Sequence, residues 1–225
     1  MTAGTYPLPR ILRGMMVILL TACAPHASNG TALLHVNSSS AASPWLDTAY
    51  ACTPTGAEIV LGSPDDADLL LRLAEPMPLT GPAFQIGVDD VLVVAHAQVG
   101  VGSLSAAQVE AVFAGQLRNW GEVGGPDLAI QVWVFAPTVD VQEYFDRVIL
   151  HGRPASSLAR LAVSAQHMSD SVGSSPGSIG LLPRRWKTGN TRELLIVGSV
   201  PVLALTNSTP QGQLAALVEC MQAQE

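Results

Sequence analysis

Residues 104–127 read LSAAQVEAVFAGQLRNWGEVGGPD, and the rest of the chain is read outward from them. Ser105 and Gln108 have the spacing of a capping box, in which each side chain satisfies a free backbone donor of the other at a helix start. Val109, Val112 and Phe113 then recur at helical spacing and mark one apolar face. Gly115 stands where a left-handed residue ends a helix. The turn that follows sets Trp120 between Asn119 and Gly121, and Gly124-Gly125-Pro126-Asp127 forces a reversal. A strand is expected over 130–135, Ile-Gln-Val-Trp-Val-Phe. Elementary chemistry thus gives a helix, a turn plugged by an aromatic ring, and a strand.

The wording of the stretch carries more. Ser105-x-x-Gln108-Val109, Phe113-x-Gly115, Asn119-Trp120 and Gly124-Gly125-x-Asp127 ahead of Ile130-x-Val132 resemble the second lobe of the phosphate-type periplasmic substrate-binding proteins of ABC transporters. The likeness is dense here and thinner, though collinear, from 33 to 223. It implies an α/β, two-lobed, periplasmic-binding-protein-like (type II) fold, each lobe a mixed sheet flanked by helices. Residues 33–87 with 194–225 would form lobe one and 88–193 lobe two. A ligand assignment follows less directly, because function resides in sites and not in folds.

The chain has 225 residues, 48% of them hydrophobic and only 13% charged, with a mean hydropathy of +0.32. That length buries a good core, yet no apolar run is long enough for a stable membrane span. A net charge of −7 argues against a nucleic-acid partner. It leaves a small anionic solute open, because local amides and helix ends decide that. Near the N-terminus, Arg10 and Arg13 flank the apolar Gly14–Leu20, and Leu20-Thr21-Ala22-Cys23 resembles a bacterial lipoprotein signal. On that reading 1–23 is a signal peptide, Cys23 is lipidated, and 24–32 is a tether rich in small and polar residues. The protein would then sit at the cell membrane on its extracytoplasmic face, a lipid-anchored monomer. An ordinary secretory peptide is the plainer alternative. Cys52 and Cys220 would share an oxidising space. The family layout brings them into one lobe, either as a disulfide or as two buried thiols.

Along the chain, Leu33–Val36 reads as a strand that feeds Asn37-Ser38-Ser39-Ser40. Ser43 is expected to cap a helix with Pro44 at its first position. A serine-rich turn before a helix can be an anion cradle or a plain polar loop; the resemblance makes Ser38, Ser39 and Ser40 ligand contacts. Leu69–Leu71 reads as a buried strand ending at Arg72, which either forks onto an oxyanion, pairs with Glu75 or is solvated. Ile86–Ala95 has the continuous apolar character of a strand buried on both faces, and in the family it crosses between lobes.

After the 130–135 strand, Asp140 and Glu143 have the spacing of a second capping box, with Val141, Tyr144, Phe145, Val148 and Ile149 on one face. Phosphate-specific relatives carry Arg and Ser-Gly-Thr at this turn. Here it reads Pro137-Thr138-Val139-Asp140, leaving Thr138 as its hydroxyl ligand contact and Asp140 as a charge that repels dianions. A short helix is expected around Leu158, Leu161 and Ala162, and another over 165–173. Ser174–Leu181 resembles the family's Pro-Gly-x-Ile-Gly-Tyr segment. Arg184, Arg185, Trp186 and Lys187 make a basic cluster, read as a solvated loop or a permease-docking patch. Leu194–Val197 and Pro201–Leu205 are expected as two strands, and Thr209 as the cap of a last helix.

No dinucleotide or P-loop fingerprint is present. His35, His96, His151 and His167 lack metal spacing, and no nucleophile elbow occurs. No enzyme, metal or cofactor is expected. The expected role is capture of a small oxyanion, phosphate-like, for an ABC permease. The competing role is a binding-protein scaffold without cargo, acting in sensing or partner binding.

Overall fold

The apolar run that ends at Ala95 sets the architecture. In the computed structural model, which describes residues 1–4 and 30–224, this run belongs to β4 (Ala83–His96). Val91 to Ala95 are fully buried, so a strand here needs neighbours on both edges and cover on both faces. Its edges are taken by β7 (Ser178–Pro183) and β8 (Thr191–Leu205), both antiparallel to it. The chain divides into Met1–Gly30 and Thr31–Glu225. Met1–Gly4 carry no regular structure; Cys23 and the rest of the expected signal lie outside the described residues.

On one side of the long pair stand β1 (Ala32–Ser38), β2 (Ala57–Leu61) and β3 (Leu69–Leu73), with β1 parallel to both others. On the other stand β5 (Gln131–Val134) and the short β6 (Arg160–Leu161), parallel to β7 and to each other. The sheet order is β2-β1-β3-β8-β4-β7-β5-β6. The mixed α/β fold with flanking helices is the expected one, its eight strands joined in a single sheet where one sheet in each lobe is expected. β8 corrects the expectation of two strands, since Gly198 and Pro201 do not interrupt it. The Tyr144 hydroxyl presses against Gly198, where a Cβ would collide. Pro201 brings no N–H, but its carbonyl accepts from Ala74 N–H at 2.9 Å.

Helix α1 (Leu46–Ala51) follows a 3₁₀ turn over Ser43–Trp45, and α5 (Gly212–Gln222) closes the chain. A disulfide joins Cys52 to Cys220, with Cα atoms 5.6 Å apart across a sequence separation of 168. On a chain-entropy account, closing so long a loop stabilises the fold by about 5 kcal/mol. Ser43 is not the expected cap: its hydroxyl turns back to the Ser40 carbonyl at 3.1 Å. Gln211, and not Thr209, precedes α5.

Helix α2 (Ala106–Phe113) begins at the expected box, with Ser105 N–H on Gln108 Oε1 at 2.9 Å and Gln108 N–H on Ser105 Oγ at 3.3 Å. Gly115 is left-handed, φ 75°. Trp120 is fully buried and its indole N–H donates to the Gly177 carbonyl at 2.9 Å. The rings of Phe113 and of Phe145, on α3 (Asp140–Val148), lie 4.6 Å apart and join α2 to α3. Burying each such ring stabilises by roughly 1.5–3 kcal/mol. Helix α4 (Ala165–Ser174) is capped by Ser164. The helix expected near Leu158 is instead the edge strand β6; Leu158 and Leu161 are exposed and of the three only Ala162 is buried, too little to hold a helix face.

Candidate functional site

Strand β1 ends opposite Leu71, where Ser38 pairs with it and Ser39 N–H donates to the Leu71 carbonyl at 2.9 Å. Two residues further, β3 still runs while β1 has turned away. The Leu73 N–H therefore lacks a strand partner on that edge. It donates instead to Asp140 Oδ2 at 2.7 Å. The Ser39 hydroxyl donates to the same oxygen at 2.6 Å while accepting from Ala42 N–H at 3.1 Å. Val141 N–H donates to the other oxygen, Oδ1, at 2.8 Å.

Asp140 opens α3 in the second half of the molecule, whereas Ser39 and Leu73 belong to the first. Its residue is only 3% exposed. Burial raises its carboxyl above the ordinary carboxylate range. The Ser39 hydroxyl, the Leu73 and Val141 amides and the charge of Arg72 each pull it back down. A buried carboxylate is tolerable only when hydrogen bonds replace its water, and here three do. The expected Asp140–Glu143 capping box is absent: Val139 precedes the helix without a side-chain cap. Partners at the ends of β1 and β3, distant in sequence, engage both carboxylates, and of the helix start Asp140 keeps only the Val141 amide.

Arg72 follows the same logic. Its Nε donates to the Ala74 carbonyl at 3.1 Å, and its Nη2 meets Glu143 Oε2 at 2.8 Å. Of the alternatives read from sequence, neither the Glu75 pair nor a solvated side chain occurs; the partner is Glu143, from the opposite half. Ala74 turns left-handed there, φ 57°. A surface hollow of about 530 Å³ lined by Met77, Glu143, Arg147 and His151 opens beside this pair.

The structure brings Ser39 and Arg72 to one place with Asp140. Ser38 lies half-buried at the end of β1, and Ser40 contributes its carbonyl to the local turn. Thr138 is exposed on the turn before α3, and the side chain that meets Ser39 is Asp140. Two participants escaped sequence reasoning. Leu73 acts through its backbone, which no side chain announces. The spacing of Glu143 predicts a cap, and only the arginine on a facing strand redirects it.

The basic cluster also works between the halves. Trp186 donates its indole N–H to the Ala41 carbonyl at 3.0 Å, and its own carbonyl accepts from the Ser169 hydroxyl at 2.8 Å. Arg185 stacks over the Trp45 ring, 4.1 Å from its centre. Arg184 binds Asp90 at 2.8 Å and Glu193 at 3.0 Å. Arg184, Arg185 and Lys187 are exposed, as a solvated loop requires, while Arg185 and Trp186 also hold the Ser39–Trp45 turn. Asp89 and Asp90 point to opposite faces, as neighbours on a strand must: Asp89 is buried and Asp90 meets Arg184 and Ser199.

Three solved folds are similar over nearly the whole domain. A protein from Clostridium perfringens, assigned as a phosphate ABC transporter substrate-binding protein and holding phosphate, superposes with a TM-score of 0.72 at 14% identity, over 84% of this chain and 92% of that one. An ABC-type phosphate transport receptor from Vibrio cholerae gives 0.65 at 16%, over 85% and 95%. The reduced form of OxyR from N. meningitidis gives 0.58 at 14%, over 85% and 95%. At such identities these show the fold. A family model described as the PBP superfamily domain matches residues 83–224. With β4 to α5 inside that match, the chain belongs to the periplasmic-binding-protein superfamily.

Proposed function

We propose that this protein is the solute-binding component of an ABC transporter. Its solute would be a small oxyanion of the phosphate class, held where lobe one (33–87 with 194–225) meets lobe two (88–193). The observation that carries the reading is the reception given to a carboxylate at that seam: the Ser39 hydroxyl and the Leu73 amide converge on one oxygen, and the charge of Arg72, itself paired with Glu143, acts on it from nearby. Hydroxyls, free amides and a guanidinium are the donors an oxyanion needs. Ser38, Ser40 and Thr138 would supply outer contacts. Hinge motion of the two lobes around the solute is the working step, and the closed form is what a permease would recognise. The bound phosphate of the Clostridium perfringens relative supports this class of ligand.

The disulfide supports an extracytoplasmic location, because such bonds persist in oxidising compartments. Among the described residues no helix is long and apolar enough to cross a membrane; attachment would be through lipid on Cys23, as the Leu20-Thr21-Ala22-Cys23 likeness suggests. Calorimetry of the purified protein against phosphate, sulfate, molybdate and small carboxylates tests the reading. Saturable binding of at least one is expected, and silence toward all of them in a folded sample removes the oxyanion assignment. A second reading, a sensing or partner-binding lipoprotein without cargo, is favoured by the filling of the cradle by Asp140 itself. Adjacent permease and ATPase genes would favour transport, and an adjacent kinase gene would favour sensing.

A further inference from the structure

The anion in the cradle belongs to the chain. One oxygen of Asp140 receives both the Ser39 hydroxyl at 2.6 Å and the Leu73 amide at 2.7 Å. The second oxygen is held by Val141 N–H at 2.8 Å, which fixes the carboxylate's direction. The donors come from one half and the acceptor from the other, so the bond exists only when the halves are together. Nothing within α3 asks for this arrangement: Asp140 could have capped the helix locally, as Ser105 does for α2. Glu143, one helical turn on, repeats the pattern by neutralising Arg72 at 2.8 Å.

We infer that Asp140 is a resident ligand: a carboxylate tethered to α3 that fills the oxyanion cradle and holds the halves together without solute, so that a dissolved oxyanion must displace it. The inference rests on the oxyanion reading for its last clause only. A tethered group competes at an effective concentration that reaches the millimolar range even for flexible links. A state in which it occupies the site lowers the apparent affinity for a rival in proportion to its population. The unmodified protein should therefore bind free oxyanions weakly, and loss of the carboxylate should strengthen binding by about tenfold or more. A small carboxylate such as formate should then stand in for the missing group.

The test combines hydrogen exchange at the Leu73 amide with calorimetry, on the purified protein and its Asp140→Ala form, using sodium phosphate, sulfate and formate at constant ionic strength. Expected are a protected Leu73 amide in the solute-free native protein, fast exchange in Asp140→Ala, and saturable return of protection on adding formate or phosphate. Asp140→Asn keeps the shape and one acceptor but not the charge. It should show partial protection and strengthened anion binding, and it serves should the alanine form not fold. Native protein that binds phosphate more tightly than both variants would overturn the inference while upholding the oxyanion reading. Variants whose Leu73 amide stays as protected as in the native protein would also overturn it. Loss of protection that no added anion restores would uphold Asp140 as the closing group and overturn the oxyanion reading instead.

Discussion

Asn119 and Asp140 open two short segments of the same half of the molecule, each with a glutamate three residues on. Around Asn119 the side chains of Asn119 and Glu122 close on local partners, and only the Trp120 indole reaches further, to Gly177. Glu122 accepts from the amides of Arg118 and Asn119 at 2.9 and 2.8 Å, and the Asn119 side chain accepts from Gly121 N–H at 2.8 Å and donates to Asp127 at 2.8 Å. Around Asp140 nothing but the Val141 amide is local. The same spacing yields a self-contained turn in one place and a connection between halves in the other. The difference lies in what faces each segment: an unpaired strand amide, a hydroxyl and a guanidinium outcompete a helix's own end. Local signals specify structure until a tertiary partner offers better donors.

The comparison can be broken most severely at the Asn119 segment. Trp120→Ala empties a fully buried site and frees the Gly177 carbonyl, so denaturant unfolding should show a loss of about 3–5 kcal/mol. At the Asp140 segment, Ser39→Ala should cost roughly 1–3 kcal/mol by removing one donor from a buried carboxylate. Combined with Asp140→Asn its effect should be non-additive by at least about 0.5 kcal/mol, because the two share a bond.

The two segments should also differ in their response to pH. Asp140 titrates above its ordinary value of 3.8 because it is buried. The folded state thus binds a proton that the unfolded chain releases over the same range. Its contribution to stability is complete below the unfolded value and is lost as pH rises through the raised one. Asp89 and Asp146 are raised by burial too, whereas Asp90 is lowered by Ser199 and Arg184, so the informative quantity is the native protein minus Asp140→Asn. That difference should move in favour of the native protein as pH falls from 7 toward 4; a flat difference would show that burial does not govern this group.

Smaller effects sharpen the contrast. Ser105→Ala removes a cap that is wholly local and should cost about 1 kcal/mol, with no change in anion binding. A double-mutant cycle on Arg72 and Glu143, whose side chains are 14% and 40% exposed, should give a coupling of about 1 kcal/mol or less, weakened by salt.

Most of the framework is legible in the residues. The Ser105–Gln108 box, the left-handed Gly115, the buried Trp120 and the apolar β4 follow from spacing and side-chain chemistry alone. Strand β8 was not, because Gly198 and Pro201 are punctuation in sequence; only the tyrosine packed on the first and the amide served by the second show why the strand continues. Sequence points to the serine turn and Arg72 as candidate anion contacts and to Asp140 as a charge beside them. Their mutual arrangement was hidden, since a carboxylate that repels a soluble anion and one that replaces it look identical on paper. The Leu73 amide carries no signal at all: every residue but proline has one.

The place of β8 bears on how the protein is made. It is the last strand to leave the ribosome, yet it lies between β3 and β4. Until Thr191–Leu205 are made, β3 and β4 lack the neighbour that joins them in the folded sheet, and an uncovered strand edge of that kind invites aggregation.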